Sequence, residues 1–361
     1  MNIRSFPLAL ACLLLSASSR ADRLTQAERY ARRCQSHATD RNTTPSGTLL
    51  WGTKRTWDES QQRTDERRSV LVSIDISSQR IPDAQVQSLE LRKGRLIASP
   101  VPSASLVGAV LQGSASDGKP VEVALCGAEP APEDSDMVWY RIEAWNPVAQ
   151  AWENPCVATG RVPDPRAMPV SGVWDSTGTH QQVKGKLTLA CENGVISKCI
   201  RWGYKPWASR DGQSLADLHQ ACTRMARADY CGNGRSHTSQ DTVIDMYDRL
   251  GVRLSTTTAS ASWDPERASF EAAWATDGAT CLSHMRDGRA LETLLRECPG
   301  RFHIGAPVDL GHGDRCTVQR ADMSPELALL KNRSYGPGKI VTTSSQAAEP
   351  AGRVPLLGAV P

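Results

Sequence analysis

Ten cysteines spread from Cys34 to Cys316 constrain this chain more than any other feature. They are Cys34, Cys126, Cys156, Cys191, Cys199, Cys222, Cys231, Cys281, Cys298 and Cys316; an eleventh, Cys12, falls inside an N-terminal leader. An even set in an exported chain reads as a disulfide framework, whereas reduced thiols in that number belong to a cytosolic protein. The leader decides between the two. Met1 to Ala21 has an early cation in Arg4, an apolar run from Phe6 to Leu15, and small residues at Ser19 and Ala21 placed for a signal peptidase. This is the pattern of a cleaved secretory signal. The apolar run is about ten residues, too short for a bilayer span of roughly twenty, and no later segment is longer and as apolar. The expectation is a soluble chain, secreted or periplasmic. Lipid anchoring through Cys12 is not expected, because Ala9-Leu10-Ala11 is a poor lipobox and the apolar run continues past it. Spacing alone does not assign the pairing.

The 361 residues suffice for two ordinary domains with cores of their own, so disulfides would reinforce a core and not replace it. Loss of Arg4 and Arg20 with the leader takes the formal charge from +3 to +1. A near-neutral chain has no global field for nucleic acid or an anionic membrane, so neither is an expected partner.

The fold class expected is α+β: a signal peptide (1–21), a β-rich N-terminal domain (22–165) built as a small sandwich or barrel, a mixed α+β disulfide-stapled domain (166–320), and a largely disordered tail (321–361). A short basic helix is predicted over Gln26 to Arg33. Ser88 to Arg92 and Leu96 to Ala98 alternate around a Lys93-Gly94 turn. Val107 to Leu111 and Val121 to Leu125 flank Asp117-Gly118, and Val138 to Trp145 forms a further strand. Three prolines, Pro163, Pro165 and Pro169, mark the boundary. Beyond it, Asn193-Gly194 between Lys186–Ala190 and Val195–Trp202 predicts a hairpin, with Cys191 and Cys199 on opposite faces and each bonded elsewhere. Ser214 to Asp217 reads as a capping box opening a helix with Leu215, Leu218, Cys222, Met225 and Ala226 on one stripe. Thr242 to Leu250 is short and ambiguous. Pro265 to Trp274 and Ala290 to Cys298 are further helix candidates. Asn42-Thr43-Thr44 and Asn332-Arg333-Ser334 are glycosylation sequons in a eukaryotic host only.

The most distinctive series runs through Leu187-Thr188-Leu189-Ala190-Cys191, Lys198 to Trp207, and His219-Gln220-Ala221-Cys222-Thr223-Arg224-Met225-Ala226-Arg227-Ala228-Asp229-Tyr230-Cys231-Gly232. It resembles the ADYC domain of exported bacterial proteins, named after the motif that here is Ala228-Asp229-Tyr230-Cys231. His237-Thr238, Ile244-Asp245 and Phe270 to Trp274 look like later parts of the same pattern, and the likeness covers roughly residues 185–285. Gln240-Asp241 departs from it where a glycine turn is expected. The resemblance implies an exported domain and supplies no reaction.

Several constellations between His219 and Asp248 bear on chemistry. His219, Cys222, Cys231 and His237 carry zinc-type donors, but their spacing matches no zinc signature, and half-cystines are the simpler reading of the two thiols. Neither a metal nor any other cofactor is expected. A thiol nucleophile at Cys231, served by His237 or His219, needs an activated free thiol, which an even cysteine set argues against. An acid-base site around His219, Asp229, His237 and Asp245, with Asp248 nearby, is the catalytic alternative and makes the chain an exported hydrolase. Ten Trp against three Phe is unusual. Trp202, Tyr204 and Trp207 are therefore the binding candidates, suited to a carbohydrate or protein surface if exposed as one row, and to a core if not. Arg224 and Arg227 are an anion clamp or a salt-bridged helix edge. The leading expectation is a disulfide-stabilised exported protein of structural or binding role, its partner unknown.

Overall fold

The computed structural model describes residues 24–35, 50–53, 69, 71–77, 79, 86–100, 102, 106–132, 134–238 and 242–335. The leader, Cys12, Asn42, Gln240-Asp241 and the segment after 335 lie outside them.

Among the described residues, nineteen strands and four α-helices follow in order: α1 (Gln26–Ala31), β1 (Ser73–Asp75), β2 (Ser88–Arg92), β3 (Arg95–Ser99), β4 (Val110–Ser114), β5 (Pro120–Ala131), β6 (Asp134–Asn146), β7 (Ala151–Glu153), β8 (Ala167–Ser171), β9 (Val173–Trp174), β10 (His180–Gln181), β11 (Lys186–Cys191), α2 (Val195–Arg201), β12 (Ser209–Arg210), β13 (Gln213–Ser214), α3 (Ala216–Arg227), β14 (Ile244–Asp248), β15 (Ala268–Ala275), β16 (Gly278–Leu282), α4 (Leu291–Glu297), β17 (Phe302–Asp309), β18 (Arg315–Arg320) and β19 (Leu330–Tyr335).

The first sheet runs β5-β4-β1-β11-β8-β6-β7, and a further β5–β6 pairing closes six of its strands into a barrel. Closure removes the free edges an open sheet would present. The barrel is filled by alternating side chains: Leu187, Leu189 and Cys191 of β11 join Ile74, Leu111, Leu125 and Ile142 in one core. β2 and β3 form the predicted hairpin, with Lys93 (φ 46°) and Gly94 (φ 74°) both left-handed as a two-residue primed turn requires. β4 and β5 pair across Asp117-Gly118 as expected. The barrel takes in β8, which contains Pro169, and β11 beyond it, so the sheet crosses 165/166.

The outer face of that wall carries Met137, Trp139, Met168, Val170 and Ala190, which share a second core with α2 and α3. The same core continues into a six-stranded antiparallel sheet, β14-β19-β15-β16-β18-β17, through Trp274, Leu282, Val318 and Leu330. The two helices therefore lie between a barrel wall and a second sheet.

Five disulfides join Cys34–Cys126, Cys156–Cys191, Cys199–Cys222, Cys231–Cys298 and Cys281–Cys316, with Cα separations of 5.1–5.9 Å. Those are ordinary separations for bridged cysteines.

Several expectations need correction. The Ser214 to Asp217 capping box does not form: Leu215 stands at the N-cap of α3 with no side-chain cap hydrogen bond, and Ser214 ends β13. The return strand Val195–Trp202 is helix α2. Gly194 is extended (φ −78°), not left-handed, and a Cβ there would meet the Trp51 carbonyl at 2.6 Å. The glycine serves close approach, not a turn, while Val195, Ile196, Cys199 and Ile200 fall on one buried helical face. Pro265–Trp274 is strand β15 from Ala268, buried from Phe270 onward on both faces, which periodicity cannot distinguish from a buried helix. Within the expected tail, Leu330–Tyr335 is β19, hydrogen-bonded between β14 and β15. Asn332 of the second sequon is fully buried there and accepts from Trp274 Nε1 at 2.8 Å, so it offers no glycan acceptor. Ambiguous Thr242–Leu250 holds strand β14.

Candidate functional site

The expected apolar stripe of α3 is buried, but so is the rest of the helix: every residue from Leu218 to Arg227 is inaccessible. Sandwiched on two sides, its polar side chains need internal partners. His219 Nε2 donates to the Ile196 carbonyl at 2.9 Å, and burial pulls its pKa down to about 4. Gln220 donates to the carbonyls of Gly178 (2.8 Å) and Thr276 (3.2 Å) and accepts from Trp174 Nε1 (3.0 Å). Arg224 donates to the Thr177 and Thr276 carbonyls and to Thr179 Oγ1 (2.8 Å). Helix α3 thus grips the β9–β10 turn and the β15–β16 turn at once.

The four residues that follow complete this junction. Ala228 ends α3 in the left-handed conformation (φ 50°, ψ 43°), fully buried. Asp229 Oδ2 lies 2.6 Å from Arg224 Nη1, with side-chain exposures of 1% and 2%. Its carboxylate also accepts the backbone N–H groups of Asn233 (3.2 Å) and Gly234 (3.0 Å), closing the loop after the helix. Tyr230 stacks on Trp274 (centroids 5.2 Å apart) and donates to Glu271 at 3.1 Å, while accepting the Arg286 N–H at 2.8 Å. Burial holds the Tyr230 phenol well above its usual pKa, with the Glu271 charge adding to it. Arg286 grips Glu271 through Nε (3.0 Å) and Nη2 (2.8 Å) and caps the Met225 and Ala226 carbonyls. Burial would raise the Glu271 pKa, but the Arg286 charge holds it below the usual range. Cys231 is bonded to Cys298 behind α4.

The catalytic candidates do not converge. His237 is buried with Nδ1 3.0 Å from the Ala228 carbonyl and Nε2 2.8 Å from Glu297. Asp245, on β14, accepts Thr256 N (3.0 Å) and Thr256 Oγ1 (2.8 Å), and burial raises its pKa. His219, Asp229, His237 and Asp245 each belong to a different internal set of bonds. Asp248 accepts from Tyr204 OH (3.0 Å) and from Leu250, Val252 and Arg253 N–H groups. Cys222 and Cys231 are bonded to Cys199 and Cys298, as the half-cystine reading expects, so neither is a free thiol in this structure. Arg224 is an internal clamp, not an anion site.

Trp202, Tyr204 and Trp207 do not form one exposed row. Tyr204 is fully buried, and both tryptophans are half-buried against the central core. Trp207 packs over the β2–β3 turn, where a Cβ on Gly94 would meet its ring at 3.1 Å. Sequence reasoning does not single out Glu271 and Arg286. Glu271 is a charged residue within the buried run Phe270 to Trp274, and that mismatch is the signal by which it could be found, whereas Arg286 stands in the polar stretch His284 to Arg289 and carries no such signal.

Among the described residues no helix is long and apolar enough to cross a membrane. The family model of the ADYC domain matches residues 103–288, just over half of the chain, and so takes in barrel strands as well as the motif. No curated protein and no solved structure matches.

Proposed function

The chain belongs to the ADYC domain family, and on that premise we propose that it is an exported, disulfide-stabilised protein of structural or binding role. One observation carries this reading. Every member of Ala228-Asp229-Tyr230-Cys231 is consumed in holding the α3 junction together: a helix end, a buried ion pair, a stacked and hydrogen-bonded ring, and a disulfide. A motif kept for catalysis would leave a reactive group facing a cleft within reach of a base or acid. The five disulfides support an oxidising compartment. Trp202 and Trp207, half-buried, remain the contact candidates for a protein or carbohydrate surface, without Tyr204.

The test is mass spectrometry of the unreduced protein exported by a bacterial host, with thiol labelling and a metal assay on the same sample. The expected result is an N-terminus near Asp22, no labelled thiol and no zinc. Zinc held by Cys222 and Cys231, or labelling of Cys231 alone at neutral pH, would overturn the proposal and make His219 to His237 an active-site segment.

A further inference from the structure

Eight of the ten cysteines in disulfides are buried. The exception is the pair joining α1 to the barrel: Cys34 is exposed and Cys126, on β5, is half-buried. Cys34 also holds a left-handed backbone (φ 63°), a conformation that a non-glycine residue keeps only under constraint. Its N–H donates to the buried Glu143 carboxylate at 2.6 Å, and ligating atoms of Cys34, Cys126 and Glu143 lie within 4.8 Å of one another.

What this disulfide retains is slight. Helix α1 has six residues and buries none of them. It is seated by Arg29 and Tyr30 on Glu122 (3.1 Å each), by Arg33 Nε on the Gly108 carbonyl (2.5 Å), and by Trp152 Nε1 on the Arg29 carbonyl (2.8 Å). Leu24 and Tyr30 cover Trp145 and Trp152 on the outside of the barrel. A helix this short does not persist without its tertiary anchor.

We propose that Cys34–Cys126 is a thiol-exchange site, taking an external thiol or dithiol as its reactant, and that the exchange unlatches α1 from the barrel. The external thiolate attacks the Sγ of the exposed residue Cys34. A bond forms between the two sulfurs as the Cys34–Cys126 bond breaks, and the electron pair leaves on Cys126 Sγ, which takes a proton from water. A second external thiolate then attacks the external sulfur and releases Cys34. Two external thiols become one disulfide, and the protein's disulfide becomes two thiols. Access and not bond type selects this pair, since all eight cysteines of the other four are buried, Cys298 being the most accessible at 7%.

The experiment treats the native full-length chain with glutathione, and in parallel with a reduced thioredoxin-type dithiol protein, quenching with an alkylating reagent and mapping peptides over time. Cys34 and Cys126 are expected to react at least about tenfold faster than the other eight. Glutathione should leave a mixed disulfide on Cys34, and the dithiol protein two free thiols. Reduction of all five pairs together, or of another pair first, overturns the proposal. Hydrogen exchange on the selectively reduced protein tests the second half: amides of Gln26–Ala31 should lose protection while β5 and β6 keep theirs. Unchanged protection in α1 would refute the unlatching.

Discussion

Arg224 and Asp229 meet at 2.6 Å across the left-handed residue that ends α3, both out of contact with solvent. The pair ties the last turn of the helix to the loop carrying the motif, and Asp229 spends its remaining capacity on two backbone N–H groups. Asp229→Asn therefore strands a buried guanidinium and weakens the loop. The expected loss is about 3–5 kcal/mol, read as a shift in the urea midpoint with unchanged slope. The double variant Arg224→Met with Asp229→Asn should recover part of that loss, because it removes the stranded charge.

Tyr230 separates packing from hydrogen bonding. Tyr230→Phe keeps the stack on Trp274 but leaves the Arg286 N–H without its acceptor, and is expected to cost about 1–3 kcal/mol. Tyr230→Ala also opens a cavity beside Trp274 and should cost about 3–5 kcal/mol. Equal losses for the two variants in chemical denaturation would mean the ring contributes nothing beyond its hydroxyl.

The Cys199–Cys222 bridge ties α2 to α3 over a separation of 23 residues. Replacing both with serine is expected to cost about 3 kcal/mol, by freeing the unfolded chain, with the far-ultraviolet circular dichroism retained. Loss of folded signal at 25 °C would show that the two helices need the bridge to dock at all.

How much of this is legible in the sequence depends on whether a residue's reason is local. The Lys93-Gly94 turn and the β4–β5 hairpin are readable because their glycines serve left-handed backbone in the turn itself. Gly194 misleads because its reason lies across the fold, at the Trp51 carbonyl. Strand β15 misleads because burial on both faces erases the period of two. In the site, the apolar stripe of α3 is visible, but the burial of its opposite face is not, since that depends on a sheet arriving from residues 244–335. His219 and Asp229 accordingly look available for chemistry in the sequence, while in the fold their partners, Ile196 and Arg224, have already claimed them.

His219 gives the protein a defined acid sensitivity. Burial holds its folded pKa at about 4, below the unfolded value of 6.5. Between those values the unfolded chain binds a proton that the folded chain refuses, so stability falls as pH drops from about 6.5 to about 4 and is fully present above that window. The contribution is on the order of 3 kcal/mol, at about 1.4 kcal/mol for each pH unit separating the two values. His180, also lowered by burial, titrates in the same direction, and the lowered carboxylates of Glu271 and Glu297 act at more acid pH. His219→Gln keeps a donor for the Ile196 carbonyl and removes the titration. Urea denaturation of both proteins from pH 7.5 to 4.5 should show a shallower pH dependence for the variant, whereas parallel curves would mean that water reaches the imidazole in the folded state.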